Sequence, residues 1–175
     1  MGVIEKSEGT LEGVFKGLPQ MSDSSKESLA KAWPWLALIF GILQLAAGYW
    51  LWKLTRVVDA VNDLVNSLSQ YYTGTNVGVS SFDKTLIYVG MVVLVVEGVL
   101  FLLAFPKLQK RERKGWDLLF LAALLNVAYS VLTIFIDGRG FGSFLVNLVG
   151  SAIAFYLLFQ VKSKFGGKSS VKPAA

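Results

Sequence analysis

Apolar and polar positions alternate along this chain on a long period. Four stretches are almost wholly apolar: Trp33 to Trp52, Thr85 to Phe105, Trp116 to Ile136 and Phe141 to Val161. Each holds about 20 residues, which is what a helix needs to cross a hydrocarbon core about 30 Å thick. The pattern predicts four membrane-spanning helices. Between the first two runs the pattern changes. Leu54, Val57, Val58, Val61, Leu64, Val65 and Leu68 fall on one helical face, with Thr55, Arg56, Asp59, Asn62, Asp63 and Asn66 opposite. That is an amphipathic helix over about 54–70, which could lie on the membrane or continue the first span.

Each apolar run carries a polar residue: Gln44, Glu97, Asn126 and Asn147. Their helical neighbours are small. Gln44 shares a face with Ala37, Gly41, Ala47 and Gly48, and Gly90 and Ala104 lie one heptad either side of Glu97. Asn126 shares a face with Ala122, Ala123 and Ser130, and Asn147 with Gly150, Ser151 and Ala154. Small residues mark where membrane helices pack closely, and polar side chains on such a face bond across. The spacing therefore predicts one closed bundle with Gln44, Glu97 and Asn126 near mid-membrane and Asn147 nearer the outer side. No span contains a cation, so Glu97 is expected to face protein, to hold its proton, and to donate to Gln44 or Asn126.

The flanks are polar. Residues 1–32 read as a polar tail, with Leu11, Val14, Phe15 and Leu18 at helical spacing but Gly9, Gly13 and Gly17 weakening any helix there. Ser24 and Glu27 match a capping box for a short helix from Ser25 that should break before Pro34. Trp33, Trp35, Trp50 and Trp52 bracket the first span as interfacial aromatics do. "YYTGTNVGVSS" reads as a loop, "PKLQKRERKGW" as a basic connector, "DGRGFG" as a tight hairpin, and 162–175 as a basic tail.

Composition agrees with the runs: 54% of the 175 residues are hydrophobic and only 17% charged. Charge adds orientation. Four spans place the N-terminal segment, the 106–116 connector and the C-terminal tail on one side. They carry Lys6, Lys16, Lys26, Lys31, Lys107, Lys110, Arg111, Arg113, Lys114, Lys162, Lys164, Lys168 and Lys172. The other side carries Lys53, Arg56, Lys84 and Arg139. Basic loops stay cytoplasmic, so both termini are expected inside, with the amphipathic helix outside. Lys107, Lys110, Arg111, Arg113 and Lys114 are candidate contacts for anionic lipid headgroups. "EGVLFLLAFPK" echoes "SAIAFYLLFQVK", a possible duplication of the first hairpin in the second.

The chain has no cysteine and no histidine. This excludes disulfides, thiolate and imidazole metal sites and any Cys or His catalytic pair. "FGGKSS" is no phosphate-binding loop, because Lys162 stands where the first glycine belongs. No metal, cofactor or nucleic-acid partner is expected. Two readings of Glu97 remain: a structural clasp between helices, or an ion or proton site. A wetted path through Gln44, Glu97 and Asn126 would favour the second, and a dry core the first.

"RKGWDLLFLAALLN" and "AFYLLFQVKSKF" resemble segments of small, uncharacterised bacterial integral membrane proteins with four spans. That resemblance covers about the last 70 residues. It implies a multi-pass inner-membrane protein and carries no catalytic residue to any position. The sequence thus predicts an all-α membrane domain over 33–161 with cytoplasmic ends. Its expected function is non-enzymatic: to bind or organise other membrane components, or alternatively to act as a small transporter or channel. The bilayer, other membrane proteins and further copies of the chain are the expected partners.

Overall fold

A computed structural model describes residues 3–75, 81–132, 134 and 140–166. Among these there are five α-helices: α1 (Val3–Lys16), α2 (Asp23–Thr73), α3 (Ser81–Gln109), α4 (Arg113–Leu132) and α5 (Gly140–Val161). A single 3-10 turn, Lys162–Lys164, follows α5, and no strand occurs among the described residues. Four helices, α2 to α5, are long and apolar enough to cross a membrane. The fold is an all-α bundle of the kind membrane proteins use, since a helix satisfies its own backbone groups in lipid. The centre of the loop expected after residue 70, the first half of the "DGRGFG" hairpin, and the tail from residue 167 lie outside the described residues; the second half of that hairpin opens α5.

Helix α2 departs most from expectation. It begins two residues before the anticipated capping box, with Ser22 as N-cap accepting from the Ser25 N–H at 3.3 Å. It does not break at Pro34, which lies buried inside it. A proline removes one backbone hydrogen bond and crowds the carbonyl four residues back. Here that residue is Ala30, itself fully buried, and spanning helices tolerate such prolines where neighbouring helices support the backbone. At the other end the amphipathic segment is helical, but it is not a separate element. It continues the first span without a glycine or proline between Gly48 and Gly74. The helix stops at Gly74, whose φ of 69° is left-handed and whose N–H bonds to the Gln70 carbonyl. Fifty-one residues make a rod of about 76 Å, at 1.5 Å per residue.

α2 and α3 run antiparallel in long contact. They approach closely at Gly41 and Gly98: a Cβ added to either would stand 3.1–3.2 Å from the other's carbonyl oxygen. Trp35 meets Phe105 edge-on at one end of this pair, and Lys84 bonds Asp59 at 2.8 Å at the other. A short turn leads from α3 into α4. Here the best-packed core begins: Trp116 and Phe120 are fully buried and stacked at 5.2 Å. The Trp116 indole N–H donates to the Leu158 carbonyl of α5 at 2.8 Å. Phe155 and Phe159 meet these rings edge-on.

The N-terminal segment is not a free tail. α1 docks over this same end. Phe15 stacks on Phe159 at 5.6 Å. Glu8 pairs with Arg113 and, at 2.8 Å, with Lys162, while Glu12 pairs with Lys162. Tyr156 donates to the Pro19 carbonyl at 2.7 Å, and the Met21 N–H donates to Gln160 Oε1 at 3.0 Å. Burial alone would push the Glu8 carboxyl up, but the hydrogen bonds from Lys162 and Arg113 outweigh it and hold the group below its ordinary value. These contacts also redirect the basic connector. Arg111 binds Glu27 at 2.7 Å, and Arg113 binds Glu8 and Asp117. Two of the five cations expected to meet headgroups are thus held by carboxylates of the chain itself. Lys107, Lys110 and Lys114 form no ion pair among the described residues.

Candidate functional site: a cleft between two spans

Gln44, one turn from Gly41, and Glu97, next to Gly98, are brought together by the close approach of these two glycines. Gln44 Nε2 donates to Glu97 Oε2 at 2.8 Å, and Glu97 is 2% exposed. The carboxyl therefore accepts from Gln44, where the sequence led us to expect it to donate. Asn126 on α4 and Ser151 on α5 form a second, longer pair at 3.4 Å. Ala37, Gly41 and Gly48 are buried on the Gln44 face as the spacing predicts, but Ala47 is exposed.

The bundle is not closed. α5 packs through its C-terminal half, where Phe155, Leu158 and Val161 are buried. Its other half leans away from α2. Asn126, Asn147, Gly150 and Ala154 are exposed, and Val146 is 73% exposed. The small face of α5 that predicted close packing instead lines a cleft of about 460 Å³ between α2 and α5. Its walls are apolar: Leu36, Phe40, Phe101, Leu119 and Leu158 among others. Gln44, Glu97, Asn126, Asn147 and Ser151 are its polar residues. All four residues singled out in the spans therefore border one space. Gln44 and Asn126 both turn toward the Glu97 carboxyl.

Three buried polar atoms at this cleft have no hydrogen-bond partner: Gln44 Oε1, Glu97 Oε1 and Trp33 Nε1. Leaving such an atom unsatisfied costs about 1–3 kcal/mol. Two of the three are clustered and the third lies apart. Trp33 and Gln44 are eleven residues apart on one helix, about 16 Å along its axis. A second cavity, of about 390 Å³, lies on the other side of the polar residues. Glu97, Asn126 and Asn147 line both spaces, and Thr55, Tyr129 and Ser130 add polar groups to the second. The centre of the bundle is thus neither a dry core nor a polar channel. It is a pair of largely apolar cavities meeting at polar side chains.

Sequence reasoning named the polar residues but missed the cleft and the role of Trp33. That tryptophan carries an interfacial signal, and nothing in its spacing shows that its indole N–H is turned inward. Among the described residues no three His, Cys, Asp or Glu side chains stand close enough to share a metal ion. Comparison of the chain with protein-family models, with curated proteins and with solved structures found no match.

Proposed function

We propose that this is a non-enzymatic, multi-pass membrane protein that binds apolar membrane components in the cleft between α2 and α5. The observation that supports this reading is the apolar cleft ending at two unpartnered buried acceptors, Gln44 Oε1 and Glu97 Oε1. Binding sites of this kind are concave and mostly apolar, with a few polar groups that fix orientation. The ligand this arrangement fits is an elongated, neutral amphiphile. It offers an acceptor to Trp33 near the bilayer boundary and a hydroxyl or amide donor roughly 16 Å deeper. We propose that both termini are cytoplasmic, on the strength of the clustered cations, and that the membrane is a bacterial inner membrane, as the resemblance of about the last 70 residues implies.

The test uses Gly150. It lines the cleft, and a Cβ there has no heavy atom within 4 Å. Gly150→Trp should therefore fill the cleft without disturbing the backbone. Native mass spectrometry of protein released from its own membranes should show a co-purifying amphiphile on the wild type and its loss from Gly150→Trp. Equal retention by both proteins would contradict the reading.

A second reading, a small transporter, is favoured by one observation: the same polar residues separate two cavities. It predicts proton or cation flux in liposomes that Glu97→Gln abolishes.

A further inference from the structure

We propose that the extension of α2 beyond the membrane is the seam of a parallel, self-associating coiled coil formed with a second copy of this chain. A span that begins at Trp33 leaves the hydrocarbon near Trp52, after about 30 Å. Charges cluster at that level. Lys53 lies over the Tyr49 and Trp50 rings, Arg56 lies over Trp52, and Lys84 pairs with Asp59. Residues 53–73 of the same helix then project roughly 31 Å further.

This projecting rod is turned the wrong way for a free-standing hairpin. Its polar side faces the chain's own α3: Asp59 takes both Lys84 and the Tyr88 hydroxyl, and Thr55, Asn62, Asn66 and Ser69 are half-buried. Its apolar side faces away, except at its membrane end, where Leu54 and Val58 border the second cavity. Leu54, Val57, Val61, Leu64 and Leu68 are between 50% and 60% exposed, and Tyr71 is 83% exposed. Lipid does not readily cover this stripe. Burying it in the membrane surface needs a sharp bend, and sharp bends occur at proline, at glycine–serine pairs or at bulges. α2 has no glycine or proline between Gly48 and Gly74 and stays helical throughout.

The spacing of the stripe names its occupant. Leu54, Val57, Val61, Leu64, Leu68 and Tyr71 follow the alternating three-and-four step of a coiled-coil seam. The same step runs back into the membrane through Trp50, Ala47 and Leu43, all exposed. The repeat thus extends for about four heptads, the length at which it signals a coiled coil. The positions flanking the projecting seam are Lys53 at its membrane end and then Val58, Ala60, Val65, Ser67 and Tyr72, so beyond Lys53 its edges are uncharged. Arg56, Asp59 and Asp63 lie on the far side, so pairing two copies brings no like charges together. Two copies inserted in the same orientation also present the stripe in parallel, at the same height and in register. Symmetric pairing about an axis along the membrane normal follows from that placement.

The chain has no cysteine, so single cysteines read the seam directly. Leu64→Cys lies on it and Asp63→Cys on the far side; both positions are exposed, so neither change should disturb the fold. Oxidation in native membranes should cross-link Leu64→Cys to itself at least tenfold faster than Asp63→Cys. Val61→Asp with Leu64→Asp should convert the purified protein to monomer in light scattering while leaving its helical circular dichroism unchanged. Equal cross-linking at the two positions would overturn the proposal. So would a wild-type protein that is monomeric in liposomes at high protein-to-lipid ratio, or a stripe captured by a different membrane protein while this chain stays monomeric.

Discussion

The two halves of the bundle are built from similar residues and behave differently. Around Trp116, four aromatic rings interlock, an indole N–H is satisfied by a backbone carbonyl, and α1 is fastened over the end by ion pairs. Around Asn147, α5 offers valine, leucine and small residues, and they touch little of the chain. Hydropathy holds both halves in lipid, but only shape complementarity joins helices there, because lipid tails are as apolar as the side chains. The first half has large rings fitted to one another. The second has small residues that leave room, and the room becomes the cleft.

The sharpest way to break this contrast is to remove the rings. Trp116→Ala should cost about 3–5 kcal/mol in thermal stability in detergent, the usual loss for a buried tryptophan. Val149→Ala, at a position 59% exposed on α5, should stay within about 0.5 kcal/mol. Comparable losses would mean that α5 packs along its whole length. Next comes crowding at the glycine contact. Gly98→Val should destabilise by about 1–3 kcal/mol, as overpacking does, because Leu45 and the Gly41 carbonyl already stand within 3.2 Å of a Cβ there. Gly150→Val, with open space around it, should be close to neutral.

Smaller effects sharpen the account of the polar centre. Glu97→Leu removes the acceptor of Gln44 and should cost no more than about 1.7 kcal/mol, the upper range for hydrogen bonds between membrane helices. Glu97→Gln keeps an acceptor and should cost less than Glu97→Leu. The reverse order in detergent melts would show that Gln44 is not the partner that matters. The smallest effect concerns α1. The Glu8 carboxyl is held below its ordinary value of 4.5. The stability it contributes is therefore present above about pH 4.5 and is lost as pH falls through the lower value reached in the folded state. Hydrogen exchange in α1 should rise on acidification below pH 4.5, and Glu8→Gln should remove that dependence.

How much of this was legible beforehand follows from the same physics. The spans were, because twenty-residue apolar runs have no other stable home. The grouping of Glu97 with Gln44 or Asn126 was, because each sits among small residues at helical spacing. The cleft was not: Gly150, Ser151 and Ala154 look alike whether they touch a neighbouring helix or border a gap. The continuity of α2 through Pro34 was hidden by a rule that weighs the lost hydrogen bond and not the supporting neighbours. The docking of α1 was hidden as well. Its glycines argue against a helix alone, and the carboxylates that fasten it, Glu8 and Glu12, meet cations more than 100 residues away. No local pattern records that match.

The central claim is that the space beside Glu97 opens to lipid between α2 and α5. It is tested most directly by a nitroxide at Gly150→Cys, the sole cysteine of the chain, in liposomes. We expect a mobile label with high collision frequency for dissolved oxygen and low frequency for a water-soluble nickel chelate. An immobilised label reached by neither would mean a closed bundle, and one reached by nickel would mean a water-filled path; either result would contradict the account.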